Sequence, residues 1–288
     1  MRFRTLWPCA FAVITAGCAA SRSHVSSDRH NPSGTTRTSI DESYRSSVEI
    51  RTSPVPRWSA LSVDEEAQLD EAGRRVAASV VHVRTVVRPP AEGTAGSGSL
   101  ASTLAGFGGS GFCFAADGLI VTTEHVLRDA TSVTVVLPDG TEQPARRLVA
   151  DDRFDLAVLK IDSASLPWLV AAQAAQRAGD LVVAVAGPNP RLTGLRRGGS
   201  ITRTGLSLQE DLGPDGRHDY GELLESTAPV EAGFSGGPVT NRDGLLVGIV
   251  VAAAGSADGG PARGYALPLS DDVSATLARL IAEIEAAP

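Results

Sequence analysis

The sequence predicts an all-β protein: two small antiparallel barrels, with one helix before them and one after. Three observations carry this. Glycine supplies 30 of 288 residues while aromatic residues make up only 5%, and many glycines among short apolar runs favour a turn-rich β protein over a helical bundle. Past about residue 80 the apolar residues come in short runs rather than at helical spacing. Asp117-Gly118, Asp139-Gly140 and Asp243-Gly244 stand between such runs as hairpin-turn signals.

The chain opens with Arg2 and Arg4 and an apolar run from Leu6 to Gly17. That run is too short to span a bilayer and has the shape of an export signal. Its end, Thr15-Ala16-Gly17-Cys18, resembles a bacterial lipoprotein signal, which implies acylation of Cys18 after residues 1–17 are removed. An ordinary export signal cut near Ala20 is the alternative. Residues 18–57 are rich in Ser, Thr, Arg and Pro without apolar periodicity, and read as a disordered tether. Residues 58–288 read as the folded domain.

Within that domain, Ser62-Val63-Asp64-Glu65 is a capping box, and a helix is expected to about Ala78. Strands follow at Val80–Val87, Gly111–Phe114, Leu119–Thr122, Ser132–Leu137, Arg146–Ala150 and Leu156–Ile161. A second set is Leu181–Ala186, Gly199–Ser207, Glu222–Ser226, Pro238-Val239, Leu245–Val251 and Gly264–Leu267. Pro89 to Gly109 is a Gly/Ser/Ala loop, and a closing helix is expected over about Ser270–Glu285. Two sets of about six strands give the two barrels.

Composition excludes some functions. An apolar share of 42% fills a core, and a net charge of −7 offers no broad nucleic-acid footprint. Three cysteines, Cys9, Cys18 and Cys113, make neither a disulfide framework nor a zinc site. Cys113, between Phe112 and Phe114, reads as a buried inert thiol. Neither a metal nor an organic cofactor is expected.

The segment richest in chemistry is Gly233-Phe234-Ser235-Gly236-Gly237-Pro238. Glycines on both sides of a serine let the backbone turn sharply, expose the hydroxyl, and aim amide N–H groups into one small space. A serine hydroxyl needs a base within reach and a group that orients the base. Read alone, the segment is equally a glycine-rich hairpin. Histidine order separates the catalytic templates. An α/β-hydrolase elbow requires a histidine after the serine, and none follows Ser235. The order His, Asp, Ser remains. Of the histidines, His24 and His30 lie in the tether. His82 alternates with Val81 and Val83 on a strand, which points it to solvent or a neighbouring strand, and His218 lies in a polar loop. His125 directly follows the apolar strand Leu119–Thr122, where a base is held firmly. Asp155 enters the apolar strand Leu156–Lys160, a costly place for a carboxylate unless an imidazole pairs with it. Asp151 and Asp152 stay open as alternatives.

Gly109-Ser110-Gly111-Phe112, Ile120-Val121-Thr122-Thr123-Glu124-His125-Val126, Asp155-Leu156-Ala157-Val158-Leu159-Lys160 and Gly233–Pro238 together resemble, in order, the four signatures of HtrA/DegP-type trypsin-like serine proteases. The resemblance covers about Val76 to Glu285. It implies a chymotrypsin-like double six-stranded β-barrel with the triad between barrels, His125 as base then acid, Asp155 orienting it, and Ser235 as nucleophile. It also implies an oxyanion hole from the amides of Gly233 and Ser235, with that of Phe234 nearby. Exported or unfolded polypeptides are the implied substrates, in the bacterial cell envelope, probed from a lipid anchor at Cys18. Because the resemblance stops near Glu285, no PDZ domain is expected in this sequence, and the assembly state stays open.

Some positions depart from the pattern. Phe234 replaces a small polar residue before the nucleophile, and a ring there is expected to alter the oxyanion loop or cover the cleft. Thr227 stands where an Asp is common, and the loop Gly187–Gly194 differs from the usual form. These departures leave a second reading open, a protease-fold binding protein without activity. Pro229, Val251, Ala252, Ala253 and Ala254 are expected to line the primary substrate pocket. None carries a charge, so small to medium aliphatic P1 side chains are expected to fit.

Overall fold

The computed structural model describes residues 61–87, 108–163, 165–188, 195–211, 217–254 and 263–286. The signal and tether segments, including Cys9 and Cys18, lie outside the described residues, as does most of the 88–107 loop. Helix α1 spans Val63–Val76 and ends in a 3-10 turn, Ala77–Ser79. Strands β1–β7 follow at Val80–Val87, Gly109–Ala115, Leu119–Thr122, Ala130–Val136, Glu142–Pro144, Arg147–Asp151 and Leu156–Lys160. Strands β8–β13 are Leu181–Val185, Arg196–Asp211, Arg217–Ser226, Pro238–Asn241, Leu246–Ala254 and Arg263–Pro268, and helix α2 is Asp271–Ala286.

The second set closes into a six-stranded barrel in the order β10-β13-β12-β11-β8-β9. The first set differs from the expectation. It is a seven-stranded sheet in the order β5-β4-β1-β2-β3-β7-β6, with β5 and β6 at its edges. The additional strand is Glu142–Pro144, which pairs with β4 alone. Three polar residues ending in proline carry no apolar pattern, and proline suits an edge strand because it has no N–H to donate.

The central strands are buried on both faces, which explains their continuous apolar runs. Val81, Val83, Cys113, Ile120, Val135, Ala157 and Leu159 pack on one side of the first sheet. Val80, Phe112, Val121, Leu156 and Val158 face the other way and join a core shared with both helices. Helix α2 covers β6 and β7 with Val273, Leu277, Leu280 and Ile284, a 4-3-4 spacing that lines up one helical face. Helix α1 lies on β8 and β9 through Leu69, Ala72 and Val76. Its start carries the full capping box: Ser62 N–H donates to the Glu65 carboxylate at 2.8 Å, and Glu65 N–H to Ser62 Oγ at 3.3 Å. Burial pushes the Cys113 thiol up to about 11, as the sequence predicts for an inert cysteine.

One charge sits inside the second barrel wall. The Glu225 side chain has no exposure to water, and two arginines hold it: Arg203 at 2.5 Å and Arg263 at 3.1 Å. Thr202 and Tyr265 hydroxyls donate to the same carboxylate. Burial alone pushes the Glu225 carboxyl up, but the Arg203 and Thr202 hydrogen bonds and the charges of Arg203 and Arg263 hold it net below its ordinary value. A depressed folded-state value contributes stability above the unfolded-state value near 4.5, lost as pH falls through the folded-state value. Glu225→Gln is therefore expected to cost about 3 kcal/mol at neutral pH, because it strands two arginines. The same variant flattens the acid limb of stability against pH, which chemical denaturation from pH 7 to pH 2 measures.

Candidate active site

Asp155 starts the site. Its side chain is wholly buried, and its backbone is left-handed at φ 54°, a conformation that Asp tolerates better than most residues. The turn that forces it lies between β6 and β7, and it aims the carboxylate back under the end of β3. There His125 meets it twice. His125 N–H donates to Oδ1 at 2.8 Å, and His125 Nδ1–H donates to Oδ2 at 2.6 Å. The Asp155 carbonyl also accepts Glu124 N–H at 3.2 Å. With Nδ1 protonated and facing the carboxylate, the neutral ring's other nitrogen is an acceptor. The imidazole side chain is 30% exposed, so it reaches solvent while its partner does not.

A third donor comes from the other half of the molecule. Tyr220 on β10 is buried and its hydroxyl donates to Asp155 Oδ2 at 3.3 Å. No motif signals Tyr220 in the sequence; only the pairing of β10 within the second barrel carries it there. The alternatives to Asp155 are engaged elsewhere. Asp151 caps the turn by accepting Phe154 N–H at 3.1 Å and pairs with Arg279, and Asp152 is exposed on that turn.

The other histidines separate as follows. Of the two placements open to His82, solvent or a neighbouring strand, the structure has the second: the ring is buried and its Nδ1–H donates to Gly109 O on β2 at 2.8 Å. Burial holds the His82 imidazole below its ordinary value, opposed by the Gly109 bond and aided by the charge of Arg84. His218 lies on β10 rather than in a loop, paired with Glu210. His24 and His30 fall outside the described residues.

Ser235 stands in the turn between β10 and β11. The peptide units around it divide cleanly. Phe234 N–H donates to Glu231 O at 3.0 Å and closes a four-residue turn. Gly233, its third residue, has φ 101°, while Ala232 has no positive φ; that combination is a type II turn, which calls for glycine there. Gly237 N–H binds Phe234 O, Gly236 N–H binds Val250 O, and Ser110 N–H binds Ser235 O. Among the described residues the amides of Gly233 and Ser235 have no acceptor. Both residues are half-buried and sit beside exposed Ala232. Of the three amides grouped in the sequence reading, that of Phe234 is thus committed inside the turn.

The turn also packs against the strand that leads to His125. A Cβ on Gly236 (φ 80°) would lie 2.4 Å from Thr122 Oγ1 and 3.0 Å from Thr123 N. Only glycine allows that approach.

Phe234 behaves differently from the expectation. Its ring has no exposure and packs among Val182, Ala184, Ile201, Val230, Val239 and Val250 in the second barrel. It anchors the turn from below and does not cover the cleft. Thr227 Oγ1 accepts Ser200 N–H at 3.0 Å, tying the segment after β10 to β9. Of the expected pocket residues, Val251 is buried, Ala252 half-buried, and Pro229 and Ala253 exposed; Ala254 pairs with Arg263 along β12 and β13. Gly264, opposite Ala253, would meet Val230 and Ser226 with any added Cβ at 3.1 and 3.4 Å.

Residues 109–249 match the family described as the trypsin-like peptidase domain. The chain is 39% identical over 166 residues to a probable periplasmic serine endoprotease, DegP-like, of Brucella suis, covering 56% of this chain and 31% of that protein. A DegP-like protein of Chlamydia pneumoniae is 33% identical over 163 residues, covering 56% and 32%. The chain therefore matches about a third of the length of these curated relatives. Among solved structures, a serine endoprotease from Yersinia pestis is 27% identical with a TM-score of 0.55, covering 78% of this chain and 68% of that one. The active form of a protease from M. tuberculosis shares the fold, with a TM-score of 0.64 at 24% identity, covering 80% and 91%. In sequence and fold the chain resembles the HtrA/DegP-type trypsin-like serine proteases.

The buried ring gives a test. Phe234→Asn empties ring volume from a packed core and buries an amide, which is expected to cost about 3 kcal/mol or more. Thermal melting is expected to drop by roughly 6–12 °C, whereas a ring that covers the cleft would leave the melting temperature nearly unchanged.

Proposed function

We propose that this chain, whose two β units resemble the HtrA/DegP-type trypsin-like domain, is a serine endopeptidase acting through His125, Asp155 and Ser235. The observation that carries the reading is the His125 Nδ1–H bond to the buried Asp155 carboxylate, on a strand end packed against the Ser235 turn. His125 takes the Ser235 proton as the hydroxyl oxygen attacks the scissile carbonyl carbon. Asp155 fixes the ring's tautomer and stabilises the imidazolium that forms. The carbonyl oxygen becomes an oxyanion, and the N–H groups of Gly233 and Ser235 receive it. The C–N bond then breaks, the amine leaves with the proton from His125, and an acyl-enzyme remains. Water, deprotonated by His125, hydrolyses that ester and restores Ser235. The relatives' descriptions as periplasmic endoproteases support export to the cell envelope and polypeptide substrates; anchorage through Cys18 rests on the likeness of Thr15-Ala16-Gly17-Cys18 to a lipoprotein signal.

Labelling of the purified full-length protein with a fluorophosphonate probe tests the reading. The parent is expected to be labelled, and Ser235→Ala and His125→Ala are expected to lose the label. A folded parent that stays unlabelled would instead favour the binding-protein alternative.

The uncharged lining by Pro229, Val251, Ala252, Ala253 and Ala254 gives a second expectation. In a peptide library, cleavage is expected mainly after small to medium aliphatic residues. Cleavage mainly after Lys or Arg would overturn that assignment of the pocket.

A further inference from the structure

Ser110 is wholly buried at the start of β2, and every one of its polar groups is engaged. Its N–H donates to Ser235 O at 2.8 Å. Its hydroxyl donates to Gly233 O at 2.6 Å and accepts Gly187 N–H at 2.8 Å. Its carbonyl accepts the Thr122 hydroxyl at 2.7 Å. The first of these bonds is available to any residue with a backbone N–H. The two hydroxyl bonds are particular to this side chain.

The direction of the relay is fixed by chemistry. A backbone N–H can only donate and a carbonyl can only accept. Ser110 Oγ therefore accepts from Gly187 and has its single proton to give to Gly233. Little other room exists there: a Cβ on Gly237 would lie 3.2 Å from Ser110 Cβ, and one on Gly187 would lie 2.1 Å from Val81 O. Gly187 lies just past the end of β8, against β1, so the hydroxyl joins β1, β2, the end of β8 and the Ser235 turn.

We propose that the Ser110 hydroxyl is a positioning residue that holds the Gly233 carbonyl against the first sheet and so keeps the Gly233 amide turned toward the oxyanion. The inference rests on the reading of the Gly233 and Ser235 amides given above. Pinning the carbonyl fixes the Gly233–Phe234 peptide plane, the unit directly after the Ala232–Gly233 peptide that carries the Gly233 N–H. A type I turn differs mainly by a turned-over central peptide. That flip would present the Ala232 carbonyl where the Gly233 N–H stands, and a carbonyl facing an oxyanion opposes its formation. Without the hydroxyl, Gly233 O and Gly187 N–H lose this partner, and Gly233, the pivot of that flip, loses its tether to the first sheet.

Steady-state kinetics on a peptide substrate and the fluorophosphonate labelling rate test this in the full-length protein, with Ser110→Ala and Ser110→Cys beside the parent. Ser110→Ala is expected to lower kcat and the labelling rate about tenfold or more, less than or comparable to removing an oxyanion donor, with KM within about twofold. Ser110→Cys, a weaker donor of nearly the same shape, is expected to fall between the two. A purely structural role would lower the melting temperature and leave kcat of the folded protein unchanged. A folded Ser110→Ala labelled at the parental rate overturns this inference alone, and an unlabelled parent overturns it together with the proposed function. Where Ser110→Ala does not fold, Ser110→Cys decides: reduced kcat at unchanged KM supports the inference, and parental kcat overturns it.

Discussion

A buried anion has to be met by donors, and Asp155 sets that requirement for the whole molecule. Its carboxylate has no contact with water, so its charge is tolerable only while protein groups solvate it. His125 supplies two donors from the first sheet and Tyr220 supplies one from the second barrel. Neither half alone completes the shell. The left-handed backbone at Asp155 adds local strain, of the kind structures hold only when surroundings over-determine it. The two β units are therefore joined by a polar requirement as well as by their shared apolar core, and the imidazole that faces the cleft is oriented by the same contact.

The nucleophile turn obeys a second constraint, the direction of its peptide groups. Each peptide unit in it carries one donor and one acceptor, and burial demands a partner for each. The carbonyls of Gly233, Phe234 and Ser235 are met by Ser110, Gly237 and Ser110 again. The amides of Phe234 and Gly236 are met by Glu231 and Val250. Among the described residues, the amides of Gly233 and Ser235 are the pair left without an acceptor. The anion-receiving role proposed for these two amides follows from where the other polar groups of the turn have gone, with Phe234 fastening the turn into the barrel core.

Much of this was legible from residue order. The capping box marked α1, the Asp-Gly pairs marked hairpins, and short apolar runs marked strands. The order of His125, Asp155 and Ser235 excluded one catalytic template and matched another. What escaped the sequence depended on tertiary placement. Glu142–Pro144 has no apolar pattern, so the seventh strand of the first sheet was not expected. His82 alternates with valines, which leaves solvent and a neighbouring strand both open, and only the fold chooses the strand. Phe234 stands next to Ser235 in sequence, but its ring is buried in the second barrel while Ser235 stays half-buried, a difference that only the fold shows. Tyr220 belongs to no motif, and Ser110 was visible in a motif without any sign of what its hydroxyl touches.

The position of Phe234 also bears on the choice between a working enzyme and a silent binding protein. One support for silence is a ring beside Ser235 that would crowd the oxyanion loop, the others being Thr227 and the departures in the loop Gly187–Gly194. That ring lies inside the second barrel, and the loop above it adopts a turn whose third residue is at φ 101°. A plain hairpin closed by a type I turn would need neither a glycine at that position nor a hydroxyl behind its carbonyl. This chain has both, beside a buried carboxylate that orients a half-exposed imidazole. Each feature is costly or specialised as architecture alone: a left-handed Asp155, a type II turn at Gly233, and a buried polar relay through Ser110. Together they account for one another if charge develops between the imidazole and the two free amides, which is the reaction that an acyl-transferring serine requires.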